Sequence, residues 1–119
     1  MEQTKTNSTT MTGIPPFMGV PQDLLSDAVR EHQALLISLS QLYAKKNHDY
    51  GDSFHETYLE EGMAMARIRL SDKLNRFKRL TKLAGSPEVK DESVRDTLMD
   101  IANYALMTVM ELDRESLTP

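Results

Sequence analysis

The chain has 119 residues, 39% of them hydrophobic and 27% charged, with a formal net charge of −4, which suits one domain with a modest core. It has no cysteine, so disulfides and thiolate zinc sites are excluded, and its acidic balance argues against duplex binding over the whole surface. No apolar run approaches a membrane span, and the first residues carry a lone Lys5 without an apolar segment, unlike a secretory signal; a cytoplasmic location is therefore expected.

Residues 1–20 are rich in Thr, Asn, Ser, Gly and Pro and read as a flexible arm, with Ile14, Phe17, Met18 and Val20 able to dock on the body or on a second subunit. Residues 21–115 read as a single all-helical domain. A first helix is expected to start between Gln22 and Ser26, capped by Asp23 or Ser26, and to run to about Lys46. Its apolar stripe is Ala28, His32, Leu35, Leu39 and Leu42, widened by Val29, Leu36 and Tyr43. Asn47 to Ser53 reads as a turn, with Gly51 able to take a positive φ. Phe54 to Glu61 reads as a short or irregular helix, broken at Gly62.

The next helix is expected from Met63 to Ala84. Its core side would be Ala66, Leu70, Leu74, Phe77 and Leu80 or Thr81, its other side Arg69, Asp72, Lys73, Arg76 and Arg79. Gly85 and Pro87 would stop it. The last helix, Glu92 to Glu115, is apolar nearly all round from Leu98 to Leu112, so it should be central and covered on several sides. The sum is an all-α, antiparallel bundle of three long helices plus a short one. Three long helices are too few to cover the last one, so a homodimer or higher even oligomer is expected to complete the core.

Charge is divided along the chain. From Arg67 to Lys82 seven bases stand against Asp72 alone, and from Glu88 to Glu115 eight acids stand against three bases. Glu92, Asp96 and Asp100 fall four apart, on one helix face. Carboxylates so aligned repel, and burying one uncompensated costs several kcal/mol. A metal ion or a basic neighbouring helix can offset them. Magnesium, or manganese, takes carboxylate oxygens with water and substrate phosphate, so Asp72, Glu92, Asp96 and Asp100 are candidate metal ligands. The latter three are also the candidate catalytic carboxylates. Arg69, Lys73 and Arg76 share a face and suit phosphate groups. His48, Asp49, Tyr50 and Asp52 sit in the expected turn, where Tyr50 can stack on a base and a carboxylate can accept from it. An acid line facing a basic line suggests a metal-bound polyphosphate and hydrolysis between its α- and β-phosphates. There is no phosphate-binding Gly-rich loop, HExxH, GxSxG or dinucleotide fingerprint.

Three blocks, Lys46 to Ser53 (KNHDYGDS), Arg69 to Arg76 (RLSDKLNR) and Asp91 to Ala105 (DESVRDTLMDIANYA), together resemble the nucleotide modification associated domain, type 1, of phages and their bacterial hosts. The resemblance runs from about Leu35 to Leu112. It adds Lys46 and Asn103 to the candidate substrate-binding residues and implies a nucleotide as small-molecule partner, with neither membrane nor nucleic acid involved. That domain is similar to the MazG and dimeric dUTPase group, helical, oligomeric, magnesium-dependent pyrophosphohydrolases carrying an ExxE and a later ExxD. Asp96 and Asp100 match the later motif at a spacing of four, and the earlier ExxE is missing. Two functions follow as expectations. One is a magnesium-dependent deoxynucleoside triphosphate pyrophosphohydrolase. The other is a non-catalytic helical module binding a nucleotide or a protein, as a phage accessory or host-interaction factor.

Overall fold

In a computed structural model the described residues are 19–82 and 91–117, Asp91 and Glu92 by backbone alone. A 3-10 turn, Gln22–Leu24, precedes four α-helices: α1, Asp27–Tyr50; α2, Ser53–Glu61; α3, Met63–Lys82; and α4, Asp91–Ser116. The described residues are thus all-helical, without a strand. The chain divides into two compact units, Met1–Leu42 and Tyr43–Pro119. The arm expected over residues 1–20 lies outside the described residues except for Gly19 and Val20, and so do Gly85 and Pro87, the expected stop after α3.

In the first unit, Ser26 caps α1. Its hydroxyl accepts from the Val29 amide at 3.3 Å, satisfying one of the amides that a helix start leaves open. The buried residues of this stretch are Gln33 and Leu39. The expected stripe holds at Leu39 but not at His32 or Leu35, which are exposed.

The second unit contains the end of α1 and all of α2, α3 and α4. Here the reading of residues 47–53 as a turn is corrected: α1 continues through Tyr50, and only Gly51 and Asp52 separate it from α2. Asn47, His48, Asp49 and Tyr50 carry on a helix already under way, because no residue before Gly51 requires a break. Gly51 and Gly62 both take φ near 70°, the region that favours glycine. Gly62 closes α2, its amide donating to the Tyr58 carbonyl at 2.8 Å, and α3 begins at the next residue.

Helices α2, α3 and α4 pack on one another. Their buried apolar residues are Tyr58, Met65 and Ala66; removing a large side chain of this kind from water contributes about 1.5–3 kcal/mol. On α3, Leu70, Phe77 and Leu80 are half-buried as expected, whereas Leu74 is exposed. Lys73, assigned to the outer side, is half-buried instead.

The larger correction concerns α4. Its buried residues are polar, Thr97, Asn103 and Glu111. Leu98, Ala105, Val109 and Leu112, which fall on one stripe at spacings of seven, four and three, are exposed; Leu98 is 45% and Val109 50% exposed. Within the second unit the described residues thus leave one stripe of α4 uncovered, as expected of a last helix that its own chain is too small to cover. Two of these buried polar side chains have bonds in place, one within α4 itself and one to α2. Thr97 donates to the Ser93 carbonyl at 2.8 Å, and Glu111 is held by His55 and Arg114.

Candidate functional site

Two helices of the second unit each present side chains at i, i+3, i+4 and i+7, the spacing that stacks residues along one face. From α1 these are Tyr43, Lys46, Asn47 and Tyr50; from α4 they are Asp100, Asn103, Tyr104 and Met107. Together with Gly51, Asp52, Ser53 and Phe54 from the turn and first residues of α2, and Arg69 from α3, they line a cavity of about 270 Å³. One wall is aromatic. The rings of Phe54 and Tyr104 stand 5.9 Å apart at 33°, within the range of a favourable pair. Asn47 donates to the Tyr43 hydroxyl at 3.3 Å, fixing both on the α1 side.

The charged part of the wall centres on Asp100. Lys46 Nζ lies 3.3 Å from its Oδ1, and Lys73 Nζ 3.0 Å from its Oδ2. One carboxylate therefore bridges ammonium groups from α1 and α3. The Asp100 side chain is 19% exposed against 52% for Lys46. The Lys46 pair is accordingly screened by water, and the Lys73 pair is the firmer of the two.

The candidate residues separate into three groups. Lys46, Tyr50, Asp52, Arg69, Asp100 and Asn103 line the cavity, and Lys73 is tied to it through Asp100. His48, Asp49, Asp72, Arg76 and Asp96 are exposed and are not among its lining residues. Glu92 lies in the first turn of α4, and its side chain is outside the described residues. Tyr43, Asn47, Ser53, Phe54, Tyr104 and Met107 line the cavity without having been assigned to a site. Extending the first helix to Tyr50 would have exposed the repeat of Tyr43, Asn47 and Tyr50. The same spacing from Asp100 leads to Tyr104 and Met107.

Among the described residues the candidate carboxylates do not converge on one point. Both oxygens of Asp100 face lysines, Asp72 and Asp96 are exposed, and no three His, Asp or Glu side chains come together to hold a metal among the described residues. A basic neighbour, one of the two offsets open for the acid line, is present at Asp100. A second ionic cluster lies apart from the cavity lining. His55 Nδ1 is 2.8 Å from Glu111 Oε1, Arg114 donates to Glu111 Oε2 at 2.7 Å, and Tyr58 donates to Glu115 at 3.2 Å. Burial, followed by the Glu115 and Glu111 carboxylates, raises the Tyr58 phenol above its ordinary value of 10.0.

No described helix is long and apolar enough to cross a membrane. Neither curated proteins nor solved structures offer a match to the chain. A family profile described as nucleotide modification associated domain 1 matches residues 46–112, the stretch that contains every residue of the cavity lining except Tyr43. Covering more than half of the 119 residues, this match makes the chain a member of the nucleotide modification associated domain 1 family.

Proposed function

We propose that this chain is a helical nucleotide-binding module without hydrolytic chemistry of its own. The observation that carries the reading is the joining, in one cavity, of an aromatic wall to a cationic end. Bases stack on aromatic faces with little regard to sequence, and Phe54 and Tyr104, with Tyr43 and Tyr50 nearby in the lining, supply such faces. Asn103 brings an amide, which carries both donors and an acceptor for a base edge. Ser53 and Asp52 offer partners for sugar hydroxyls. Lys46 and Arg69 suit a phosphate. The family description, which ties the domain to nucleotide modification, points to the same ligand class.

Several features favour binding over hydrolysis: the missing ExxE, the exposed Asp72 and Asp96, and the pairing of Asp100 with two lysines. We read the fold as a MazG-type relative whose acidic site is given over to ion pairs. We also propose that a second copy of this chain covers the exposed stripe of α4. A continuous apolar stripe on a helix favours a helical partner, and the single chain buries few large apolar side chains among its described residues.

The test is isothermal titration with nucleosides, nucleoside monophosphates and triphosphates, with and without magnesium, beside an assay for phosphate and pyrophosphate release. Binding without turnover is expected. Magnesium-dependent release that Asp100→Asn abolishes would restore the pyrophosphohydrolase reading. A folded protein that binds none of these ligands would remove the nucleotide altogether.

A further inference from the structure

Asp100 holds a position that the nucleotide reading alone does not explain. A carboxylate at the cationic end of a phosphate site opposes the ligand. Yet its two oxygens engage two different lysines, Lys46 at 3.3 Å and Lys73 at 3.0 Å, and it lines the cavity itself. Without it, two ammonium groups would face each other across the same wall, an arrangement that like charges disfavour. With it, the wall is nearly balanced. Lys46, Arg69 and Lys73 stand against Asp52 and Asp100, leaving a single positive charge among the charged groups that line the cavity or bond to its wall.

The cavity, of about 270 Å³ and partly open, can seat a base and sugar with the phosphates toward its charged wall. A phosphomonoester carries about −1.5 to −2 charges near neutral pH, which a wall of small positive charge can accept. A triphosphate carries more, and its additional charges would meet the Asp100 carboxylate.

We propose that Asp100 is the charge selector of this cavity, holding Lys46 and Lys73 as a pair and restricting the ligand to a nucleoside or nucleoside monophosphate rather than a triphosphate. The proposal rests on the nucleotide-binding reading. It gives Asp100 a role opposite in sign to that of a metal ligand: removing its charge strengthens the binding of highly charged ligands.

The experiment is titration of the whole chain with one nucleoside and its mono- and triphosphates, without magnesium and then with it, for the unaltered protein and for Asp100→Asn. The unaltered protein is expected to bind the monophosphate at least as tightly as the triphosphate. In Asp100→Asn the triphosphate is expected to gain about tenfold in affinity, the equivalent of about 1.4 kcal/mol, and the monophosphate less. The nucleoside should change least, and circular dichroism reports that the variant is folded. If the unaltered protein prefers the triphosphate tenfold without magnesium, the selector is overturned whatever the variant does. An unchanged mono- to triphosphate ratio in Asp100→Asn overturns it while leaving the nucleotide site standing. So does a magnesium-dependent loss of triphosphate binding, which would make Asp100 a metal ligand. Absence of any binding by the folded, unaltered chain overturns both the selector and the nucleotide reading.

Discussion

Asp100 and Tyr104 are one helical turn apart and line the same cavity, yet the sequence signals them very differently. A carboxylate inside an apolar run draws attention because an uncompensated buried charge is costly. A tyrosine in the same run passes as core. Its position beside Phe54 makes Tyr104 the residue on which the nucleotide reading is most exposed. Tyr104→Ala is expected to weaken nucleoside and nucleotide binding alike, by about 1–3 kcal/mol if a base stacks there, without changing the mono- to triphosphate ratio. Titration of both ligands checks it; an unchanged affinity would move the base to another wall. Lys73 was legible as a candidate phosphate-binding base, but its tie to Asp100 was not, because an ion pair across 27 residues is set by how α3 meets α4 and leaves no local pattern.

At the scale of elements, the joint between α2 and α3 depends on Gly62, with φ 70° and ψ −157°, a region essentially confined to glycine. A Cβ there meets nothing within 4 Å, so the cost of Gly62→Ala is backbone strain rather than collision, about 1–3 kcal/mol. Denaturant unfolding reads it, and a loss well below 1 kcal/mol would show that the α2–α3 joint relaxes freely. The α2–α4 contact is ionic where Glu111, 4% exposed, meets His55 and Arg114. A protonated His55 Nδ1 donates to Glu111; an unprotonated one accepts from Arg114, 3.0 Å away. Removing both partners strands a buried carboxylate, so His55→Ala with Arg114→Ala is expected to cost about 3–5 kcal/mol. Glu111→Ala, which leaves the partly exposed His55 and Arg114 open to water, should cost less. Measured unfolding energies in the reverse order would assign the contact to packing instead of charge.

The Tyr58 phenol of the same contact gives a pH dependence. Its folded-state pKa is raised above 10.0 by burial and by Glu115 and Glu111, so the folded chain holds this proton more tightly than the unfolded one. That stability is fully present below pH 10 and is lost as the pH rises through the folded value. Thermal unfolding of Tyr58→Phe should therefore fall off less steeply above pH 10 than that of the unaltered protein; parallel curves would mean that Tyr58 ionises as freely folded as unfolded.

At the scale of the whole molecule, the last helix was expected to be more apolar than its own chain could cover. Helix α4 buries Thr97, Asn103 and Glu111 and exposes Leu98, Ala105, Val109 and Leu112. A second copy laid along that stripe would bury it. Val109→Lys is expected to convert a dimer into a monomer in light scattering coupled to size exclusion, because an ammonium at a helix–helix seam is costly to desolvate. A chain that is monomeric to begin with at high concentration would sink the second-copy proposal and leave the cavity reading untouched.

What the sequence determined by itself is local and periodic. Helical class follows from apolar recurrence, the choice of Asp23 or Ser26 as cap and the breaks at Gly51 and Gly62 follow from residue chemistry, and the resemblance of three blocks led to the family that the profile over residues 46–112 shows. Six of the candidate binding and catalytic residues line the cavity, since charged and aromatic groups near a family motif announce themselves by type. Tertiary structure decided which side of α4 turns inward, because amphipathic pattern says that a helix has two faces but not which one finds a partner. It also decided that Asp100 answers to Lys46 and Lys73, since those atoms are brought within 3.3 and 3.0 Å only when α1, α3 and α4 meet.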